Sequence, residues 1–105
     1  MSTIFAEQLL AHVQLLQSRR AVARVAAFIQ SISERAPRWH TTNGEYILLE
    51  MRREDIADYL GMAPETVCRA FATLEQNGAI ACDTTQMLRI TDPQAMSSAA
   101  GEDRG

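Results

Sequence analysis

The sequence predicts a mainly α fold with a small β component, and three observations predict it. Arg53 to Leu60 and Pro64 to Asn77 read as two short helices separated by Gly61-Met62-Ala63. Two longer stretches ahead of them, residues 3–17 and Ala21–Arg35, carry apolar residues at three- and four-residue spacing. Short apolar pieces at 45–51, 79–82 and 87–91 are bounded by turn residues and read as strands. The order helix, helix, strand, helix, helix, hairpin is that of a winged helix-turn-helix preceded by an N-terminal dimerisation-type helix.

In residues 3–17, Ile4, Phe5, Leu9, Val13 and Leu16 form a stripe that Leu10 and Leu15 widen. A surface so apolar at the start of a small chain predicts pairing with a partner copy, or folding back onto its own core. Ser18-Arg19-Arg20 interrupts the pattern. The next helix has Val22, Val25, Ala26, Ile29 and Ile32 on one face with Phe28 beside it, and Ala36-Pro37 ends it. Arg38 to Gly44 reads as a turn-rich loop holding Trp39-His40, with Asn43-Gly44 as a strong turn signal. Glu45 to Met51 is the first strand.

Gly61 supplies a left-handed conformation at a helix end, and Pro64 sits where a first-turn proline is tolerated. Val67, Ala70, Phe71 and Leu74 must face the core, which leaves Glu65, Cys68, Arg69 and Thr73 outward. Residues near the start of a helix docked in a major groove reach base edges. Arginine can donate twice to guanine and a carboxylate can accept from cytosine. Spacing alone equally allows Glu65 and Arg69 to be only a solvated i to i+4 ion pair. Asp83-Thr84-Thr85-Gln86 is the turn of the last hairpin. The division expected is 1–18 dimerisation-type helix, 19–92 winged helix-turn-helix, and 93–105 a largely disordered tail, small and polar from Ser97 on.

Composition bounds the function. The 105 residues are 47% hydrophobic, ordinary for a globular domain, and no apolar run is long enough to span a membrane. The start, MSTIFAEQLLAHVQ, carries an early Glu7 and is not a signal peptide. The two cysteines, Cys68 and Cys82, form neither a disulfide framework nor a four-ligand zinc site, which suits the cytoplasm. Net charge is −3, against the usual basicity of DNA-binding domains. The segment from Arg19 to Arg89 is formally neutral, however, and all ten basic residues are arginine. His12 and His40 show no metal-ligand spacing, and no catalytic triad or phosphate loop is present, so no enzyme is expected.

Asp55-Ile56-Ala57-Asp58-Tyr59-Leu60-Gly61-Met62 followed by Glu65-Thr66-Val67-Cys68-Arg69 resembles the helix-turn-helix of the Crp/Fnr family of bacterial transcription regulators. The match is to its Fnr and FixK branch, with the pattern (R)-x-D-I-x-x-Y-L-G-(L/M), then E-T-(V/I)-(S/C)-R. The resemblance reaches upstream through Arg19-Arg20, Ala26-Ala27-Phe28-Ile29 and Ser33-Glu34-Arg35 and covers roughly residues 10–92.

The resemblance implies a dimeric regulator on double-stranded DNA, with Glu65, Cys68 and Arg69 reading bases of a TTGA-type half-site. It implies that Arg53 and Thr66 contact phosphates. Transcription activation would also need a surface touching RNA polymerase, for which no residues are assigned. The hairpin at Asp83–Gln86 corresponds to the family's wing but lacks the glycine and basic residues often found there. Relatives carry an N-terminal β-barrel sensor. Residues 1–20 hold nothing that could build one, so the expectation is either a naturally short, sensorless regulator or the remnant of a longer one, with no cyclic nucleotide, no iron–sulfur cluster and no other cofactor. Residues 3–17 would make a homodimer. The alternative is a heterodimer in which this chain modulates a full-length relative.

Overall fold

The computed structural model of the chain describes residues 19–36, 38–41, 44–84 and 86–101. Helix α1 covers residues 19–33, so Arg19 and Arg20 belong to it and do not interrupt it. Strands β1 (Arg38–Thr41) and β2 (Gly44–Leu48) follow, then helices α2 (Arg53–Leu60) and α3 (Pro64–Gln76). Strands β3 (Ile80–Cys82) and β4 (Met87–Ile90) lead to helix α4 (Pro93–Gly101). The expected helix 3–17, with its dimer contacts and His12, lies outside the described residues, as do Asn43, Thr85 and 102–105.

The strands form one antiparallel sheet in the order β1-β2-β4-β3. Two hairpins are therefore zipped together through β2 and β4, with Ile47 opposite Leu88. The Leu49 N–H extends this join by donating to the Gln86 carbonyl at 2.6 Å. The largest fully buried side chains come from the four helices and one strand: Val25 and Ile29 of α1, Ile56 of α2, Val67 and Leu74 of α3, Leu88 of β4 and Met96 of α4. The stripe expected in α1 is present, with Val22 and Ile32 at its half-buried margins.

Both helices of the central pair end by the same device. Gly61 has φ of +69°, and the Met62 N–H behind it reaches back to the Ala57 carbonyl at 2.9 Å. Gly78 has φ of +75°, and the Ala79 N–H reaches the Leu74 carbonyl at 2.9 Å. Each bond returns the chain to a carbonyl in the last turn of the helix, and only glycine takes the required φ without strain. Arg24 of α1 donates to the Leu60 carbonyl, tying the first helix to the turn between α2 and α3. At the other end of α2, the Asp55 carboxylate accepts the Arg52 backbone N–H at 3.2 Å.

Three further expectations are corrected. Residues 38–41, read as a loop, form β1, with Trp39 opposite Tyr46 and His40 opposite Glu45. Local composition showed the turn but not the strand entering it, because β1 is held by pairing with β2. The first strand itself is Gly44–Leu48 and ends before Met51. The tail expected to be disordered is helical through Gly101. Asp92 caps that helix, its carboxylate accepting the N–H groups of Gln94 and Ala95 at 3.1 and 3.2 Å. Met96 is completely buried, with Ala95, Ala99 and Ala100 packed beside it, and Gln30 of α1 donates to the Ser97 hydroxyl. The polar serines hid an apolar face built mainly of alanine.

Candidate nucleic-acid interface

Helix α3 starts at Pro64 with no side-chain cap from Ala63, and Glu65 stands in its first turn, where the helix dipole favours negative charge. Its inner face is closed: Val67, Ala70, Phe71 and Leu74 are at most 3% exposed. The burial of that stripe fixes the rotation of the helix and therefore what the outer face presents. Glu65, Cys68 and Arg69 are all exposed there. Thr66 is half-buried at the first turn. Thr73, expected outward, is half-buried, and its hydroxyl donates to the Arg69 carbonyl at 3.0 Å.

The outer face thus offers a fork of N–H donors, a carboxylate acceptor and a small thiol. Glu65 and Arg69 approach to 4.0 Å with side chains 86% and 83% exposed, at the outer limit of an ion pair. In water such a pair contributes little, and both groups keep most of their hydrogen-bonding capacity for another partner.

Arg53 lies apart from this face, at the first residue of α2. It is half-buried, and its guanidinium carbon sits 3.7 Å from the centroid of the Phe71 ring. Sequence periodicity assigns Phe71 to the core, where it is, but contains no signal that its ring also carries a cation. The same guanidinium acts electrostatically on Cys82 of β3. Burial nevertheless pushes the Cys82 thiol up to about 11, and the Glu75 carboxylate beside it adds to the rise. Cys68 is exposed.

At the tip of the β3–β4 hairpin, Asp83, Thr84 and Gln86 are exposed, and none is basic. The turn is held from within, the Thr84 hydroxyl accepting the N–H groups of Gln86 and Met87 at 3.2 and 3.1 Å. Elsewhere, an open cleft of about 380 Å³ lies between the end of α1, residues 48–51 and Tyr59, and no α3 residue lines it. Among the described residues no group of acids, histidines and cysteines could hold a metal ion. No helix there is long and apolar enough to cross a membrane.

Residues 23–99 match the family described as the Crp-like helix-turn-helix domain. The nitrogen fixation regulation protein FixK of Rhizobium meliloti is 36% identical over 87 residues, covering 83% of this chain and 39% of that protein. The protein of the same name from Bradyrhizobium diazoefficiens is 46% identical over 70 residues, covering 67% of this chain and 29% of that protein. The solved structure of FixK2 from Bradyrhizobium japonicum superposes with a TM-score of 0.65 at 29% identity, over 75% of this chain and 37% of that one. The chain therefore spans 29–39% of the length of these relatives.

Proposed function

The chain belongs to the Crp-like helix-turn-helix family, and on that premise we propose that it is a cytoplasmic, sequence-specific regulator of transcription that reads a TTGA-type palindrome as a dimer. The observation that carries this reading is the exposure of Glu65, Cys68 and Arg69 on one face of a helix whose opposite face is entirely buried. In the reading, α3 enters the major groove by its N-terminal half. Arg69 donates to a guanine, Glu65 accepts from the base on the other strand, and Cys68 makes a small contact at the edge of the half-site.

Arg53 and Thr66 would meet backbone phosphates, which fixes the helix in register without specifying sequence. A dimer through residues 3–17 would set two recognition helices about one turn of DNA apart. The uncharged or acidic hairpin tip favours a second reading, a chain that pairs with a full-length relative and contributes only one reading helix.

Gel-shift titration tests the assignment. A TTGA-type palindrome should be bound in preference to a scrambled duplex, and Arg69→Ala should narrow that preference. Equal affinity for the two duplexes in the unaltered protein contradicts it. The mass of the purified chain in solution separates homodimer from lone monomer.

A further inference from the structure

We propose that Phe71 is a positioning residue for DNA binding, its ring being the platform that holds the Arg53 guanidinium in place for a backbone phosphate. The inference rests on the reading that Arg53 contacts phosphate. An arginine at the first residue of an exposed helix samples many rotamers, and freezing them opposes binding. Here the guanidinium lies on a ring that is itself only 3% exposed and fixed in the core. The negative face of the ring attracts the cation.

Stacking uses the flat face of a guanidinium. The N–H groups lie in its plane and point outward from its edges, so the ring itself does not block their approach to a phosphate oxygen. The position also matters. The guanidinium lies where α2, α3 and β3 meet, close enough to Cys82 to act on its thiol. That is between the reading helix and a hairpin whose tip, in the described residues, supplies no cation. Phe71 belongs to the same helix as Glu65 and Arg69, so base reading and phosphate contact share one rigid element. Neither periodicity nor spacing in the sequence distinguishes this role from simple core packing.

The experiment uses the full chain as Arg53→Ala, Phe71→Leu, the double variant and Arg53→Lys. Each is titrated with a TTGA-type duplex and a scrambled duplex of equal length across a salt series. Phe71→Leu should weaken binding to both duplexes by roughly two- to tenfold. Arg53→Ala should weaken both at least as much and lower the salt slope by about one. The double variant should match Arg53→Ala alone, and Arg53→Lys, which keeps charge but not the flat stack, should fall below the unaltered protein.

Full affinity in Phe71→Leu alongside a weakened Arg53→Ala overturns the platform and leaves the phosphate contact standing. Losses that simply add in the double variant overturn it too, because Phe71 would then act through packing alone. An Arg53→Ala protein with unchanged affinity and slope removes the phosphate contact itself. Proton resonances of the Arg53 side chain in the unaltered protein give a reading independent of variant folding. An upfield ring-current displacement supports the stack, and its absence refutes it.

Discussion

Glu65 and Arg69 stand 4.0 Å apart on the outer face of α3, both more than four-fifths exposed, while Leu74 on its inner face is inaccessible. An ion pair placed so far into solvent contributes little to folding. The proposed role of these residues is therefore separable from their role in stability. Arg69→Ala should cost ~1–3 kcal/mol of specific DNA binding and change folding stability by less than about 0.5 kcal/mol. Urea unfolding beside gel-shift titration checks both halves. A large loss of stability would make the pair structural.

Gly61→Ala should destabilise the domain by about 1–2 kcal/mol. Its φ is +69°, and a Cβ there would meet nothing within 4 Å, so the whole cost is conformational. Because Gly61 sets the exit from α2 into α3, the melting temperature should drop and binding should fall with it. An unchanged melting temperature would mean that the turn relaxes without the left-handed residue.

Helix α4 is part of the core rather than an appendage. Met96→Ala should cost ~2–5 kcal/mol, in line with other large-to-small changes at buried sites. Asp92→Ala, which removes the cap over Gln94 and Ala95, should cost about 1 kcal/mol. Chemical denaturation of the two variants measures this, and a neutral Met96→Ala would detach α4 from the folded unit.

Cys82 gives stability a dependence on alkaline pH. Burial, reinforced by Glu75, raises the thiol from an ordinary 9.0 to about 11 in the folded chain. Above pH 9 the unfolded chain releases this proton while the folded chain keeps it. The folded state then binds more protons, and stability falls as pH rises from about 9 to about 11. Denaturation across that range should show a steeper decline for the unaltered protein than for Cys82→Ala. Parallel declines would show that the thiol ionises equally in both states. The exposed Cys68 should also react with alkylating reagents before Cys82.

The central helix pair was legible because its signals are local. Gly61 ends α2, Pro64 starts α3, and the stripe of Val67, Ala70, Phe71 and Leu74 fixes which side turns inward. The β3–β4 hairpin followed from two apolar pieces around a polar turn. What was missed depends on partners distant in the chain. Strand β1 exists through its pairing with β2, and α4 acquires its meaning when Met96 enters a core built by the other elements. The same holds at the interface, where the outward positions of Glu65, Cys68 and Arg69 follow from spacing. The stacking of Arg53 on Phe71 requires α2 and α3 to be packed first.

Selecting bound duplexes from a random DNA pool with the purified chain shows whether the outer face of α3 reads a specific base sequence. Enrichment of a TTGA-type palindrome with half-site centres about one helical turn apart is expected, with preference at a symmetry-related pair of positions lost in Arg69→Ala. A pool that stays random, or a motif unchanged by Arg69→Ala, would rule out base reading by α3.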